Sequence, residues 1–349
     1  MSEATKSKEG DGVFRLHPDP FVRKYVPSYV ADFLELVLAV IAIHYLLWFW
    51  LAGFILYYFH AIGYTYVSVA LLVLYLPVYF NKAHLKLTAD EGSMSWDAFR
   101  TSSLWKMLCS YMGVELIREA ELDPAKQYVF GYHPHGILIL SRVSTYAGNF
   151  EKLFPGIDSR TLAATPMFYV PMSRELSLAL TAVDASRKNA ERILQKKFSV
   201  IVYPGGSKEI FLTDPNSKET TLVLNDRLGF IKLAVRHGAE LVPTFVFGEK
   251  WMYNIWNPPQ SVRSFFLKTL KVPLLLFWGR CFTWLPLRLT GKRKFGVVFG
   301  KPIPVDKKED PTDEELTKLH ALYVERLKEI FEKYKAEFGY DDDETLNIK

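Results

Sequence analysis

Two imidazoles flank a proline in Phe130-Gly131-Tyr132-His133-Pro134-His135-Gly136. An imidazole titrates near neutral pH, so one held on a turn can take the proton of a hydroxyl and return it to a leaving group. Pro134 and Gly136 are turn formers, and apolar Tyr128 and Val129 before them read as the end of a buried strand. Those seven residues suit an ordinary surface turn equally well, so the rest of the chain has to decide. A second strand exit lies downstream. The run from Phe198 to Tyr203 leads into Pro204-Gly205-Gly206-Ser207-Lys208-Glu209. Paired glycines let backbone amides close around a thioester oxyanion or a phosphate, and Glu209 offers a carboxylate to orient an imidazole.

Strands and helices alternate around these two exits. Tyr128 to Tyr132, Arg160 to Ala164, Phe198 to Tyr203, Leu241 to Phe247 and Phe295 to Phe299 read as strands. Ser141 to Phe150, Ser173 to Val183, Arg187 to Lys197 and Arg227 to His237 read as helices, the last capped by Asn225 or Asp226 and closed by Gly238. Thr312 with Glu315 forms a capping box ahead of an amphipathic C-terminal helix, and Asp341 to Glu344 reads as a solvated tail. The fold class is α/β with crossover helices.

A membrane is implied by the N-terminal third. Leu36 to Phe80 holds no Asp, Glu, Lys or Arg. Its 45 residues fit two helices of about 20 residues each, broken near His60 to Gly63. The expected division is a cytoplasmic tail over 1–32 without the pattern of a signal peptide, a transmembrane hairpin over 33–80 and a catalytic domain over 81–349. Arg15, Arg23 and Lys24 before the hairpin and Lys82 and Lys86 after it place both ends in the cytoplasm. Within the domain, 263–294 interleaves aromatic residues with cations. Nine Lys or Arg and no Asp or Glu lie between Arg263 and Lys301, so this segment is expected to lie in the headgroup plane. A basic face beside a membrane hairpin argues against nucleic acid as the partner. Cys109 and Cys281 are the two cysteines, too few for a disulfide framework, and both read as buried small hydrophobes.

The ordered motifs resemble those of the type-2 diacylglycerol acyltransferase family, which includes monoacylglycerol and wax-alcohol acyltransferases. The likeness starts at Tyr132-His133-Pro134-His135-Gly136 and continues through Phe154-Pro155-Gly156-Ile157, Arg174-Glu175 and Pro204-Gly205-Gly206 with Glu209. It extends over Gly229 to Ala234, His237 to Pro243, Phe247-Gly248-Glu249, Gly300 to Pro304, and His320 with Tyr323. The resemblance implies a glycerolipid-acyltransferase-like cytoplasmic domain at the endoplasmic reticulum, with the lipid-droplet surface as a second location. It implies acyl transfer from acyl-CoA, as co-substrate, to diacylglycerol in the bilayer, without metal or other cofactor. His135 would be the general base with His133 beside it, and Glu209 the orienting carboxylate. Gly136, Gly205, Gly206 and Ser207 would contact substrate, and Arg174 would meet a CoA phosphate or pair with an acid.

Departures from the pattern are specific. The wider glycerolipid acyltransferase superfamily carries an Asp five residues after its His, where this chain has Leu138 or Leu140, so Glu209 must supply any carboxylate. Met167 stands where relatives commonly have Asn, and Thr181-Ala182 replaces a Gly pair, which leaves monoacylglycerol or a fatty alcohol as alternative acceptors. Two other classes remain: a metal-dependent hydrolase or oxidase using His133 and His135, although the other histidines show no ligand spacing, and a non-enzymatic hairpin protein coating lipid droplets.

Overall fold

The computed structural model describes residues 12–256, 258–259, 261–262, 265 and 275–349. Eight strands form the main sheet: β1 (Phe14–Leu16), β2 (Glu115–Arg118), β3 (Tyr128–His133), β4 (Ser159–Ala163), β5 (Ala182–Asp184), β6 (Ser199–Val202), β7 (Glu240–Phe247) and β8 (Gly296–Phe299). Their spatial order is β1-β2-β8-β7-β3-β6-β4-β5. The five strands from β7 to β5 run parallel, while β8 lies antiparallel to β7 and parallel to β2. Central strands β3 and β7 are buried along their whole length, as expected of a parallel sheet covered on both faces. One apolar core includes Phe130, Phe150, Phe154 and Phe299, and the other is built around Val129, Ile231, Phe245 and Phe331.

The register explains why distant motifs meet. Val129 pairs with Val200 and Gly131 with Val202, while His133 pairs with Phe245. The C-terminal ends of β6, β3 and β7 are therefore adjacent, and the chain leaving each of them enters the same crevice, the usual ligand position in an open α/β sheet.

Several expectations need correction. The segment expected as a tail contributes β1, paired antiparallel to β2. The helix expected from Ser173 stops at Ala179, and the chain turns through Thr181 at positive φ into β5. No side chain from Asn225 or Asp226 caps the helix Gly229–His237, whose end does close with Gly238 in the left-handed region. Asp341 to Glu344 is not a free tail: Glu344 is buried against Lys250, and Thr345–Ile348 pairs in parallel with Glu219–Leu222. The Thr312–Glu315 capping box forms as expected.

The apolar N-terminal region comprises α1 (Ser28–Ile43), α2 (Trp48–Ala61) and α3 (Thr65–Phe80). Thr65–Leu85 is the single stretch long and apolar enough to cross a membrane by itself among the described residues. α1 and α2 pass that test only as a pair, and they are bent by 84°. The expected first helix, unbroken to Phe59, is thus interrupted at His44–Leu47, and a two-span hairpin is not established. The break falls where polar side chains find partners in the α/β domain. His44 Nε2 accepts the N–H of Trp284 at 3.2 Å, and the Tyr45 hydroxyl meets Arg142. α2 and α3 do pack together, tied by the Ser68 hydroxyl donating to the Leu56 carbonyl at 2.6 Å. Trp50, Phe54, Tyr57, Tyr66 and Leu74 remain exposed, a surface suited to lipid.

Most of the first half of the expected headgroup-plane segment, 263–264 and 266–274, lies outside the described residues. Its described second half divides: Leu285 is buried and Trp284 stacks near His44, whereas Phe282 is exposed.

Candidate active site

His133 and His135 receive opposite environments. His133, the last residue of β3, is fully buried. The Tyr323 hydroxyl, on the C-terminal helix Asp313–Tyr334, donates to the Gly131 carbonyl at 3.0 Å, so His133 Nε2–H is the donor to that hydroxyl at 3.1 Å. A side chain on Gly131 would occupy the Tyr323 hydroxyl position, 2.1 Å from a Cβ. Burial drives the His133 pKa down to about 3, so this ring is a neutral brace at physiological pH.

His135 follows a cis peptide bond between His133 and Pro134, and it turns toward a chamber of about 490 Å³. Its Nδ1 lies 2.8 Å from the Gly136 carbonyl, which can only accept, so the proton sits on Nδ1 and the lone pair on Nε2. Burial lowers the His135 pKa from its ordinary value, opposed by that hydrogen bond, and keeps the ring in its basic form near neutrality. Tyr203 meets the ring edge-on, with centroids 5.7 Å apart.

Glu209 lies beside this turn in a different role from the expected one. Its Oε2 accepts the backbone N–H of His135 at 2.7 Å, and its Oε1 accepts the N–H of Val223 at 2.9 Å. The carboxylate thus holds the main chain of the turn, and the Gly136 carbonyl orients the imidazole. Gly205 is required for this arrangement because a Cβ there would lie 2.0 Å from the Glu209 carboxyl carbon. Burial pushes the Glu209 pKa up to about 7. Gly206, at positive φ, and Ser207 line the chamber itself.

A second carboxyl group was not singled out as a site residue in the sequence. Glu249, two residues past the end of β7, accepts the N–H of Leu140 at 2.8 Å through Oε1, while its Oε2 has no partner among the described residues. Gly136 has φ +67°, and a Cβ there would fall 2.0 Å from Glu249 Oε1. Burial pushes the Glu249 pKa up to about 8. The pattern that could have revealed it is a strand, then glycine, then an acid, as in the β6 exit. Arg142 also escaped notice; it is a lone cation within the apolar run Ile137 to Val143, and it lines the chamber.

Arg174 lies elsewhere. It is 1% exposed, donates to Glu175 at 2.7 Å and to Asn81 Oδ1 at 2.6 Å, and lines neither the chamber nor the adjoining cleft. The Tyr75 hydroxyl adds a bond to Glu175 at 3.0 Å, so this cluster fastens the end of α3 to the domain. Cys109 is buried and its thiol is pushed up to about 12, but Cys281 is exposed, contrary to expectation. Among the described residues, no group of three or more His, Cys, Asp or Glu could hold a metal ion.

The arrangement can do base catalysis on a hydroxyl inside an apolar chamber, and comparison with known proteins decides which kind. The family model for diacylglycerol acyltransferases matches residues 62–349. The chain belongs to this family. Mouse 2-acylglycerol O-acyltransferase 1 is 33% identical over 279 residues, covering 75% of this chain and 81% of the relative. The diacylglycerol O-acyltransferase 1 of Schizosaccharomyces pombe is 36% identical over 265 residues, covering 72% and 75%. Human acyl-CoA wax alcohol acyltransferase 2 is 32% identical over 275 residues, covering 75% and 81%. This diacylglycerol acyltransferase family member is an acyl-CoA O-acyltransferase.

Proposed function

We propose that the enzyme transfers an acyl group from acyl-CoA to the free hydroxyl of diacylglycerol, forming triacylglycerol at the endoplasmic reticulum membrane with its catalytic domain on the cytosolic side. One observation carries the mechanism: His135 offers an unprotonated Nε2 in the wall of an apolar chamber. That nitrogen takes the acceptor hydroxyl proton as the hydroxyl oxygen attacks the thioester carbon. The tetrahedral intermediate collapses, the carbon–sulfur bond breaks, and the imidazolium returns the proton to the CoA thiolate. The chamber volume falls in the range of lipid and cofactor pockets. Tyr45, from the bend between α1 and α2, is part of its wall, so the apolar helices and the reacting centre meet where a bilayer lipid would enter.

A second cavity supports the donor side. A cleft of about 260 Å³ shares Leu162, Ala185 and Val202 with the chamber wall and adds Arg187, Lys232 and Arg236, with Glu191 in the lining and Asp310 3.4 Å from Arg236. That charge balance suits the phosphates of CoA, with the pantetheine arm leading toward His135. The backbone around Gly206 and Ser207 is the proposed contact for the thioester carbonyl.

A monoacylglycerol or a fatty alcohol is the second reading for the acceptor, favoured by relatives of those names at comparable identity. Purified protein supplied with labelled oleoyl-CoA and equal concentrations of diolein, monoolein and hexadecanol tests the choice. Triacylglycerol as the main product supports the proposal; predominant diacylglycerol or wax ester refutes the acceptor assignment.

A further inference from the structure

Arg142 carries a positive charge that no ion pair balances among the described residues. It is enclosed by protein yet retains accessible surface, and it lines the chamber together with His135. Among the described residues its guanidinium makes one hydrogen bond, to the Tyr45 hydroxyl at 3.3 Å, and the guanidinium carbon lies 4.9 Å from the centre of the same ring. Both contacts are to a neutral group. Among the described residues no carboxylate forms an ion pair with it. Glu249 is the acid in its field, but Glu249 is fully buried, binds the Leu140 N–H, and is held largely protonated at neutral pH by its environment.

An uncompensated cation in an apolar enclosure is costly, and the usual solution is a paired acid, as at Arg174. Where that acid is missing and the cation faces an open chamber, a ligand can bring the counter-charge. The remaining wall restricts what that ligand is. Ile137, Leu138, Ile139, Met167, Leu180 and Ile210 line the same space, so the anion must be attached to an apolar chain.

We infer that Arg142 makes this chamber a binding site for an acyl chain whose first carbon carries a negatively charged oxygen. Two species present that chemistry: a free long-chain carboxylate, which would occupy the acyl position and compete with acyl-CoA, and the oxyanion of the tetrahedral intermediate. The inference rests on the chamber being the acyl site.

The test uses the purified full chain and the variants Arg142→Gln and Arg142→Lys. In the first arm, oleate and methyl oleate displace a fluorescent acyl probe below their micellar concentrations. The wild-type protein is expected to prefer oleate by tenfold or more, Arg142→Gln to lose that preference while binding methyl oleate normally, and Arg142→Lys to keep most of it; this outcome identifies the carboxylate. In the second arm, a tenfold or greater fall in kcat in Arg142→Gln, with methyl oleate affinity unchanged and partial rescue by Arg142→Lys, identifies the oxyanion. If Arg142→Gln changes neither the preference nor kcat, or weakens oleate and methyl oleate equally, Arg142 is a structural group and the inference is overturned. The binding arm needs no turnover. Arg142-dependent oleate binding by a protein that transfers no acyl group would refute the proposed function alone.

Discussion

The cluster around Arg174 and the chamber around His135 both enclose polar groups, but they complete them differently. Arg174 is matched by Glu175 and Asn81, with Tyr75 bonded to Glu175 completing the network. At the chamber, His135 Nε2 and most of the Arg142 guanidinium have no hydrogen-bond partner among the described residues. Buried polar groups that are fully satisfied hold a structure together, while those left open at a cavity wall mark where another molecule completes them. The same contrast separates two histidines one proline apart. Tyr323 takes His133 Nε2 inside the fold, where Nδ1 is buried without a partner among the described residues, and the Gly136 carbonyl turns His135 Nε2 toward the chamber.

Variants on the two sides should therefore fail in different ways. His135→Ala should lower kcat by on the order of 10²–10⁴-fold, the usual range for removing a general base, with thermal unfolding in detergent unchanged. A variant that keeps wild-type turnover would remove the chamber from the mechanism. Arg174→Ala should instead cost about 3–5 kcal/mol of stability, because it removes a buried guanidinium with its bonds to Glu175 and Asn81 and leaves a cavity in their place. In the protein that remains folded, KM for acyl-CoA should hold; a large rise in KM with normal stability would return Arg174 to the CoA site. Between these lies Glu209→Gln. The amide keeps one acceptor for two backbone N–H groups, so a loss of about 1–3 kcal/mol in kcat or stability is expected, and an unchanged variant would show that the turn holds itself.

The remaining expected effect concerns Glu249 and is a slope with pH rather than a loss at one pH. Its pKa is raised from 4.5 to about 8 by burial, so the folded protein binds a proton that the unfolded chain has released. Stability from this group is full below about pH 4.5 and is lost as pH rises toward 8, by about 1.4 kcal/mol per pH unit inside that window. Glu249→Gln should flatten the fall in unfolding temperature between pH 5 and pH 8. An identical slope in the variant would show that Glu249 ionises normally.

Much of this architecture is legible in the sequence because strand exits carry local signatures. The β3 and β6 exits announce themselves through His-Pro-His-Gly and Pro-Gly-Gly, and parallel registry brings them together. Bonding direction is not legible. Glu209 has the right type and neighbourhood, but the sequence cannot say that it grips the backbone of His135 and leaves the ring to Gly136. Arg174 looks like a phosphate ligand because the groups that close its network, Asn81 on Arg174 and Tyr75 on Glu175, come from the end of α3 about a hundred residues earlier. The break at His44–Leu47 is hidden for the same reason: apolar composition favours a continuous helix, and the contacts to Arg142 and Trp284 that interrupt it are distant in the chain.

The most direct test of His135 as the base is the pH dependence of kcat/KM for acyl transfer by the wild-type enzyme and Glu209→Gln. The rate should rise with pH to a plateau, with a midpoint below the ordinary imidazole value of about 6.5, and that limb should persist in Glu209→Gln. A rate independent of pH from 5 to 8, or a limb that disappears with Glu209, would contradict the assignment.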